Sequence, residues 1–205
     1  MTRCLAAEPE ASTRGQPLRD FALERQWTIA KSLILIHGLP GSGKTTLSRE
    51  LGKALSLPVI SKDHLKEALA EIAPGKIRRG LLGEIASETM WQLAAAIPGT
   101  AIVESWWYRP RDLPYVTKGV AQSGSPEVIE IWCEIDPKVA KDRYESRQRH
   151  EIHSMVEAET VWAEWSENAV PLSVGPTLWV DTSDPVNTAR LRERLTLLMG
   201  RQSVT

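Results

Sequence analysis

Residues 38–45 read Gly-Leu-Pro-Gly-Ser-Gly-Lys-Thr, and no other stretch of the chain restricts its folding so narrowly. Glycines here let the backbone curl until successive N–H groups point inward at an anion. A Cβ at Gly43 would obstruct either that turn or the anion. Gly38, Leu39, Pro40, Gly41, Ser42, Gly43, Lys44 and Thr45 satisfy the pattern G-x-x-x-x-G-K-[ST] in full. The flanks agree with it. Ser32–His37 (Ser-Leu-Ile-Leu-Ile-His) is a short apolar run of the kind a buried strand shows, and Leu47, Leu51, Ala54 and Leu55 follow at helical spacing. Strand, loop and helix are predicted in that order, with the helix dipole adding attraction for the anion. A ligand-free glycine turn joining strand to helix is the bland alternative, and it leaves both flanks unexplained.

A nucleotide polyphosphate is the anion this loop suits. Lys44 is placed to bridge β- and γ-phosphates as a point charge and Thr45 to bind Mg2+, with Thr46 beside them among the nucleotide-binding residues. ATP is expected over GTP. No N/T-K-x-D guanine element occurs, since Ser61-Lys62-Asp63 lacks the intervening residue, and no D-x-x-G switch follows the third predicted strand.

Beyond the loop, apolar runs alternate with helical stretches. Strands are predicted at Pro58–Ser61, Thr100–Ser105, Val128–Ile135 and Thr177–Val180. Helices are predicted from Asp63, as N-cap, to about Ile72, over Arg78–Ile97 and Arg111–Gln122, from Asp136-Pro137 through Arg149, from the end of a polar stretch near Met155 to about Ala169, and over Pro185–Met199. That alternation means a parallel sheet covered on both faces, an α/β chain of three layers. Residues 1–30 read as an N-terminal extension with a short amphipathic helix over Leu18–Ile29, residues 31–200 as the domain, and 201–205 as a tail.

With 205 residues the chain has room for one domain with an appendage. The 25 Lys and Arg against 26 Asp and Glu give a net charge of -1, so no global field draws in nucleic acid. Cys4 and Cys133 fit no metal-ligand spacing, and the second lies in an apolar run, as a buried thiol does. No segment has the ~18 consecutive apolar residues of a membrane helix, and the N-terminus lacks a secretory apolar stretch. A cytoplasmic protein with no membrane partner is expected; oligomeric state is not legible.

Gly-Leu-Pro-Gly-Ser-Gly-Lys-Thr-Thr, then Ile60-Ser61-Lys62-Asp63, then Cys133-Glu134-Ile135-Asp136-Pro137 with Arg143, Arg147 and Arg149, resembles the small P-loop kinases. The nearest pattern is the chloramphenicol-phosphotransferase-like, zeta-toxin-like and polynucleotide-kinase-like branch, with its AAA-type ATP-binding domain. The resemblance covers roughly residues 32–199. It implies a five-stranded parallel sheet in the order 2-3-1-4-5, a small helical lid over about 147–158, and transfer of the ATP γ-phosphate to a hydroxyl.

It also implies site roles. Asp63 falls where these kinases place the acid that accepts the acceptor's proton; a plain helix cap is the other reading, and one residue can do both. Glu104 ends the third strand where related proteins hold Mg2+ with an Asp, so a water-mediated contact competes with a direct one. Arg143 and Arg147 stand four apart, as on one helical face, and by resemblance arginines there close over the triphosphate. Asp142 and Glu145 could instead pair with them on a solvated face. Asp181 follows the fifth strand, beside the expected adenine ring, where it could equally cap the next helix.

Eight Trp against one Phe is an unusual mix. Trp132 and Trp179 are expected in the core, and Trp91, Trp162 and Trp165 are expected to pack inward from helices. At least one of Trp106 and Trp107, just past the third strand, is expected to touch the acceptor. The reading is an ATP- and Mg2+-dependent phosphotransferase acting on a small-molecule hydroxyl such as a nucleoside, sugar nucleotide or antibiotic. The rivals are an ATP-binding switch with weak ATPase activity and, less favoured because the cations are scattered, a kinase of nucleic-acid 5′-hydroxyls.

Overall fold

Successive residues of Ser32–His37 face opposite layers, and both layers are apolar, so the strand (β1) is buried along its whole length. In the computed structural model, which describes residues 31–202 apart from 125, 149 and 154, this strand is the middle of a five-stranded parallel sheet. The order is β2-β3-β1-β4-β5, with β2 at Val59–Ser61, β3 at Thr100–Glu104, β4 at Glu127–Glu134 and β5 at Thr177–Asp181. The expected order is thus found.

Seven helices are present among the described residues: α1 (Lys44–Leu55), α2 (Lys62–Ile72), α3 (Arg79–Ala96), α4 (Arg109–Gln122), α5 (Pro137–Ser146), α6 (Met155–Asn168) and α7 (Thr188–Gln202). Ile34 and Ile36 face α1 and α7, whose Leu47, Leu51, Leu191 and Leu195 complete one core layer. Leu33 and Leu35 face α3 and α4, where Met90, Trp91 and Val116 complete the other. Among the described residues no helix is long and apolar enough to cross a membrane. Residues 1–30, with Cys4 and the helix expected there, lie outside the described residues, as do Arg149 and 203–205.

Four local expectations are corrected. α5 stops at Ser146, and Arg147 is extended at φ -81°, ψ 127°. Further on, Ile152 packs with Ala70 and Leu82 and His153 meets Glu67, contacts made outside any continuation of the helix. Arg143 and Arg147 therefore do not share a helical face. Asp63 is not an N-cap, because the helix begins directly at Lys62 after an extended Ser61, leaving Asp63 in the first turn near the positive helix end. Asp181 caps no helix either. α7 starts at Thr188, where Asn187 Oδ1 accepts from the Arg190 N–H. Trp179 is 49% exposed, because β5 is an edge strand and Trp179 lies on its outer side; Trp132 is buried as expected.

Candidate active site

β1 lies between β3 and β4, so the chain leaves it at the point where strand order reverses, and a crevice opens beyond the strand ends. The phosphate loop fills that point. Gly41 has φ +81° and abuts α5, where an added Cβ would stand 2.0 Å from the Ala140 carbonyl oxygen. Gly43 also has φ +81°, yet its Cβ would meet nothing nearer than Thr182 Cβ at 3.8 Å. Backbone conformation, and not crowding by the protein, is what requires glycine at Gly43. Lys44 is buried, and its Nζ donates to the Leu39 carbonyl at 3.2 Å, so the loop itself orients the cation. The Ser42 N–H also bonds Leu39 O, at 3.0 Å, while the buried Ser42 Oγ has no partner.

At the foot of the loop the Thr45 hydroxyl donates to Glu104 Oε1 at 3.2 Å. Glu104 is 1% exposed, and its Oε2 has no partner. A buried carboxylate oxygen without a partner is costly unless something cationic completes it. Mg2+ takes oxygen ligands and is usually held by one or two protein groups, with phosphates and waters supplying the rest. This donor set therefore fits Mg2+. Among the described residues no group of three His, Cys, Asp or Glu could hold a metal ion.

Ser61 is the register partner of Glu104 across β2 and β3, which sets the half-buried Asp63 just past the same strand end. Arg143 is not directed into the crevice: its guanidinium donates to Thr182 O at 2.9 Å and Ser183 O at 2.6 Å. It closes one side of a groove of about 250 Å3 lined also by Gly43, Thr46 and residues 182–186. Asp181 stays outside that groove, exposed, where the Ser183 N–H bonds it at 2.8 Å and holds its carboxyl below the usual range. Arg147 is exposed, immediately beyond α5.

The two adjacent tryptophans part company. Trp107 is core, stacked on Trp91 with centroids 6.2 Å apart, and its edge borders a groove of about 660 Å3 between α3 and α4. Trp106 turns toward the phosphate loop, meeting Trp165 at 5.8 Å in a cluster that includes Leu39, Tyr144 and Trp162. Its buried Nε1 has no partner. The Tyr108 hydroxyl donates to Glu164 at 2.9 Å, and that bond raises its pKa by favouring the protonated phenol.

Three pairings escaped sequence reasoning: Tyr108 with Glu164, Glu67 with His153, and His37 with Glu130. His37, just before Gly38, is fully buried with Nε2 3.2 Å from Glu130 Oε2. Burial is the largest influence and lowers its pKa, against the Glu130 carboxylate, which raises it, and with the nearby Lys44 in the lowering sense, so the neutral ring is favoured. Burial opposes ionisation of Glu130, but the His37 hydrogen bond and backbone N–H groups outweigh it and lower its pKa. Those donors include Val174 and Gly175, on the connection from α6 to β5. A glutamate inside the apolar run Val128–Cys133 was the one available signal.

A family profile described as an AAA domain matches residues 33–172, more than half of the chain. The chain belongs to the AAA domain family. The matched stretch runs from β1 through the phosphate loop and on past α6. A curated shikimate kinase of Corynebacterium jeikeium (strain K411) is 34% identical over 68 residues. That match spans 33% of this chain and 35% of the relative's length. Among solved structures, a presumptive kinase from Chloroflexus aurantiacus j-10-fl is 28% identical, with TM-score 0.70 over 82% of this chain and 98% of that one. Shikimate kinase from Acinetobacter baumannii, solved in complex with shikimate, shares the fold at TM-score 0.58 and 14% identity, over 89% of this chain and 99% of that one. This AAA domain thus has the fold of small P-loop kinases.

Proposed function

We propose that this AAA domain transfers the γ-phosphoryl group of ATP to a hydroxyl of a small-molecule acceptor. The observation that carries the reading is the Thr45–Glu104 pair at the foot of the phosphate loop, with its spare buried oxygen and with Ser61, two residues before Asp63, as Glu104's register partner. Lys44 and the loop amides of residues 38–45 bind and align the phosphates. Thr45 and Glu104 would hold Mg2+, which would supply charge neutralisation on the transferring group. Asp63 orients the acceptor hydroxyl and takes its proton as the new P–O bond forms. Arg147 swings in from the end of α5 to offset charge on the equatorial oxygens.

Nucleoside recognition falls to the groove behind Gly43, where Thr46 and the 182–186 backbone lie side by side. Arg143 builds that groove by holding the Thr182 and Ser183 carbonyls. Asp181 acts one step further out, shaping the turn through the Ser183 N–H. Of the two tryptophans, Trp106 is the acceptor-side residue, because it is half-buried on the phosphate-loop side whereas Trp107 is core. The curated shikimate kinase and the shikimate-bound structure favour a small hydroxylated acceptor.

The test is ADP production across a panel of hydroxylated metabolites, with Lys44→Ala as blank. One metabolite should raise Lys44-dependent turnover sharply. Turnover that rises only with a protein partner would favour a nucleotide switch and end the kinase reading.

A further inference from the structure

We propose that the groove between α1 and the edge strand β2 binds the phosphate of a small phosphomonoester, at a site separate from the phosphate loop. The groove encloses about 330 Å3, within the size range of small-molecule sites. Arg49, Lys53 and His64 line it, and no acidic residue does. It meets the active site only at Thr45, at one end; residues 38–44 form no part of its wall, so it is not the triphosphate site. The proposal goes beyond the kinase reading and does not depend on it.

Helical spacing sorts the charge. Thr45, Arg49 and Lys53 recur every four residues and share one face of α1. Glu50, the one acid of that helix, lines the nucleoside groove on another side, with Thr46 and Arg143. His64 joins the two cations from the first turn of α2. Like charges four residues apart repel each other. Among the described residues Arg49, Lys53 and His64 have no ion pair to relieve that repulsion, and all three are exposed.

Ser61 adds an uncharged donor. It ends β2, is 5% exposed, and its Oγ has no partner. Its register partner Glu104 reaches Thr45 at the start of α1, and paired residues of neighbouring strands point to the same face. The Ser61 side chain is therefore on the α1 side, where it forms part of the groove. A buried hydroxyl left unpaired is costly, and a phosphate oxygen would accept from it. Ser48, also in the wall, already donates to the Thr45 carbonyl at 3.1 Å.

Toward the other end the wall is apolar. Gly52 lets α1 close on β2, since an added Cβ would collide with Val59 Cγ2. Leu57 and the 37%-exposed Val59 present carbon surface there. A guanidinium fork with an ammonium and an imidazole N–H suits a phosphate dianion. The apolar end suits the organic body to which that phosphate is esterified, and free phosphate would leave it bare.

The test is titration of the isotopically labelled full chain with phenyl phosphate above neutral pH, followed by amide NMR shifts. Mg2+ and the β,γ-imido analogue of ATP fill the phosphate loop beforehand. Saturable shifts are expected at residues 48–53, 57–61 and 64. Arg49→Gln combined with Lys53→Gln should weaken binding about tenfold, and Ser61→Ala about fivefold. Affinity of the double variant for the nucleotide analogue should stay at the wild-type value, which shows that it folds. Phenyl sulfate, a monoanion of similar shape, should bind the wild type about tenfold more weakly than the phosphate. Inorganic phosphate should also bind more weakly than the ester. Absence of saturable shifts at these residues, or undiminished affinity in the double variant, overturns the site. Equal affinity for phenyl sulfate overturns the dianion, equal affinity for inorganic phosphate overturns the organic body, and an unchanged Ser61→Ala removes that donor. Failure of the nucleotide analogue to bind ends the kinase reading alone, because the groove is read at residues outside the loop.

Discussion

The Ala140 carbonyl oxygen stands 2.0 Å from where a Cβ on Gly41 would sit, so the phosphate loop and α5 are in backbone contact. Gly41 also has φ +81°, a left-handed conformation that a side chain disfavours. Gly41→Ala should therefore push α5 away from the loop and cost about 1–3 kcal/mol of stability from overpacking alone. Chemical denaturation would measure it, and a midpoint equal to that of the wild type would contradict the contact.

Glu104 carries the charge that Thr45 shares. Glu104→Gln keeps the shape and a hydrogen-bond acceptor for the Thr45 hydroxyl but removes the negative charge. Mg2+ affinity in the nucleotide complex should fall about 10–100-fold, with nucleotide affinity in the absence of metal unchanged. Titration calorimetry at fixed nucleotide and varied Mg2+ reads both quantities.

His37 and Glu130 make stability depend on pH. The folded-state pKa of His37 lies below its ordinary 6.5, so as pH falls through that value the unfolded chain takes up a proton first and folding is weakened. Glu130 lies below its ordinary 4.5 in the folded state, so its contribution is present above that value and fades below it. Thermal midpoints should decline from pH 7 toward pH 5, and further below pH 4.5. His37→Asn should flatten the first part of that decline, and an unaltered slope near pH 6 would argue against a neutral buried ring.

Cys133 should be chemically silent. Its thiol is 1% exposed and burial pushes its pKa up to about 12. The thiolate that attacks alkylating or disulfide reagents is then scarce at neutral pH. Labelling followed by mass spectrometry should find the native chain unmodified at Cys133 and fully modified after denaturation.

Much of this was legible in the sequence because the informative signals were local. The loop of residues 38–45 and the apolar run before it fix a strand, a turn and a helix within one stretch of chain, and the observed sheet order follows from repeating that unit. Helix ends were less legible. α5 was expected to continue through Arg149, and nothing between Ser146 and Arg149 is a helix-stopping residue. What ends it is tertiary: Ile152 and His153 find partners on α2 and α3, more than sixty residues away in the chain. The same reason hid Arg143, whose partners are two carbonyls past β5, and His37, whose partner Glu130 lies in an apolar run. Trp179 misled because edge and interior strands share one apolar pattern, and only sheet order tells them apart.

Glu130 grips the backbone of Val174 and Gly175 from inside the sheet, so the stretch joining α6 to β5 is moored to the molecule's floor. Without that carboxylate, two backbone amides at the foot of β5 would have to find another acceptor.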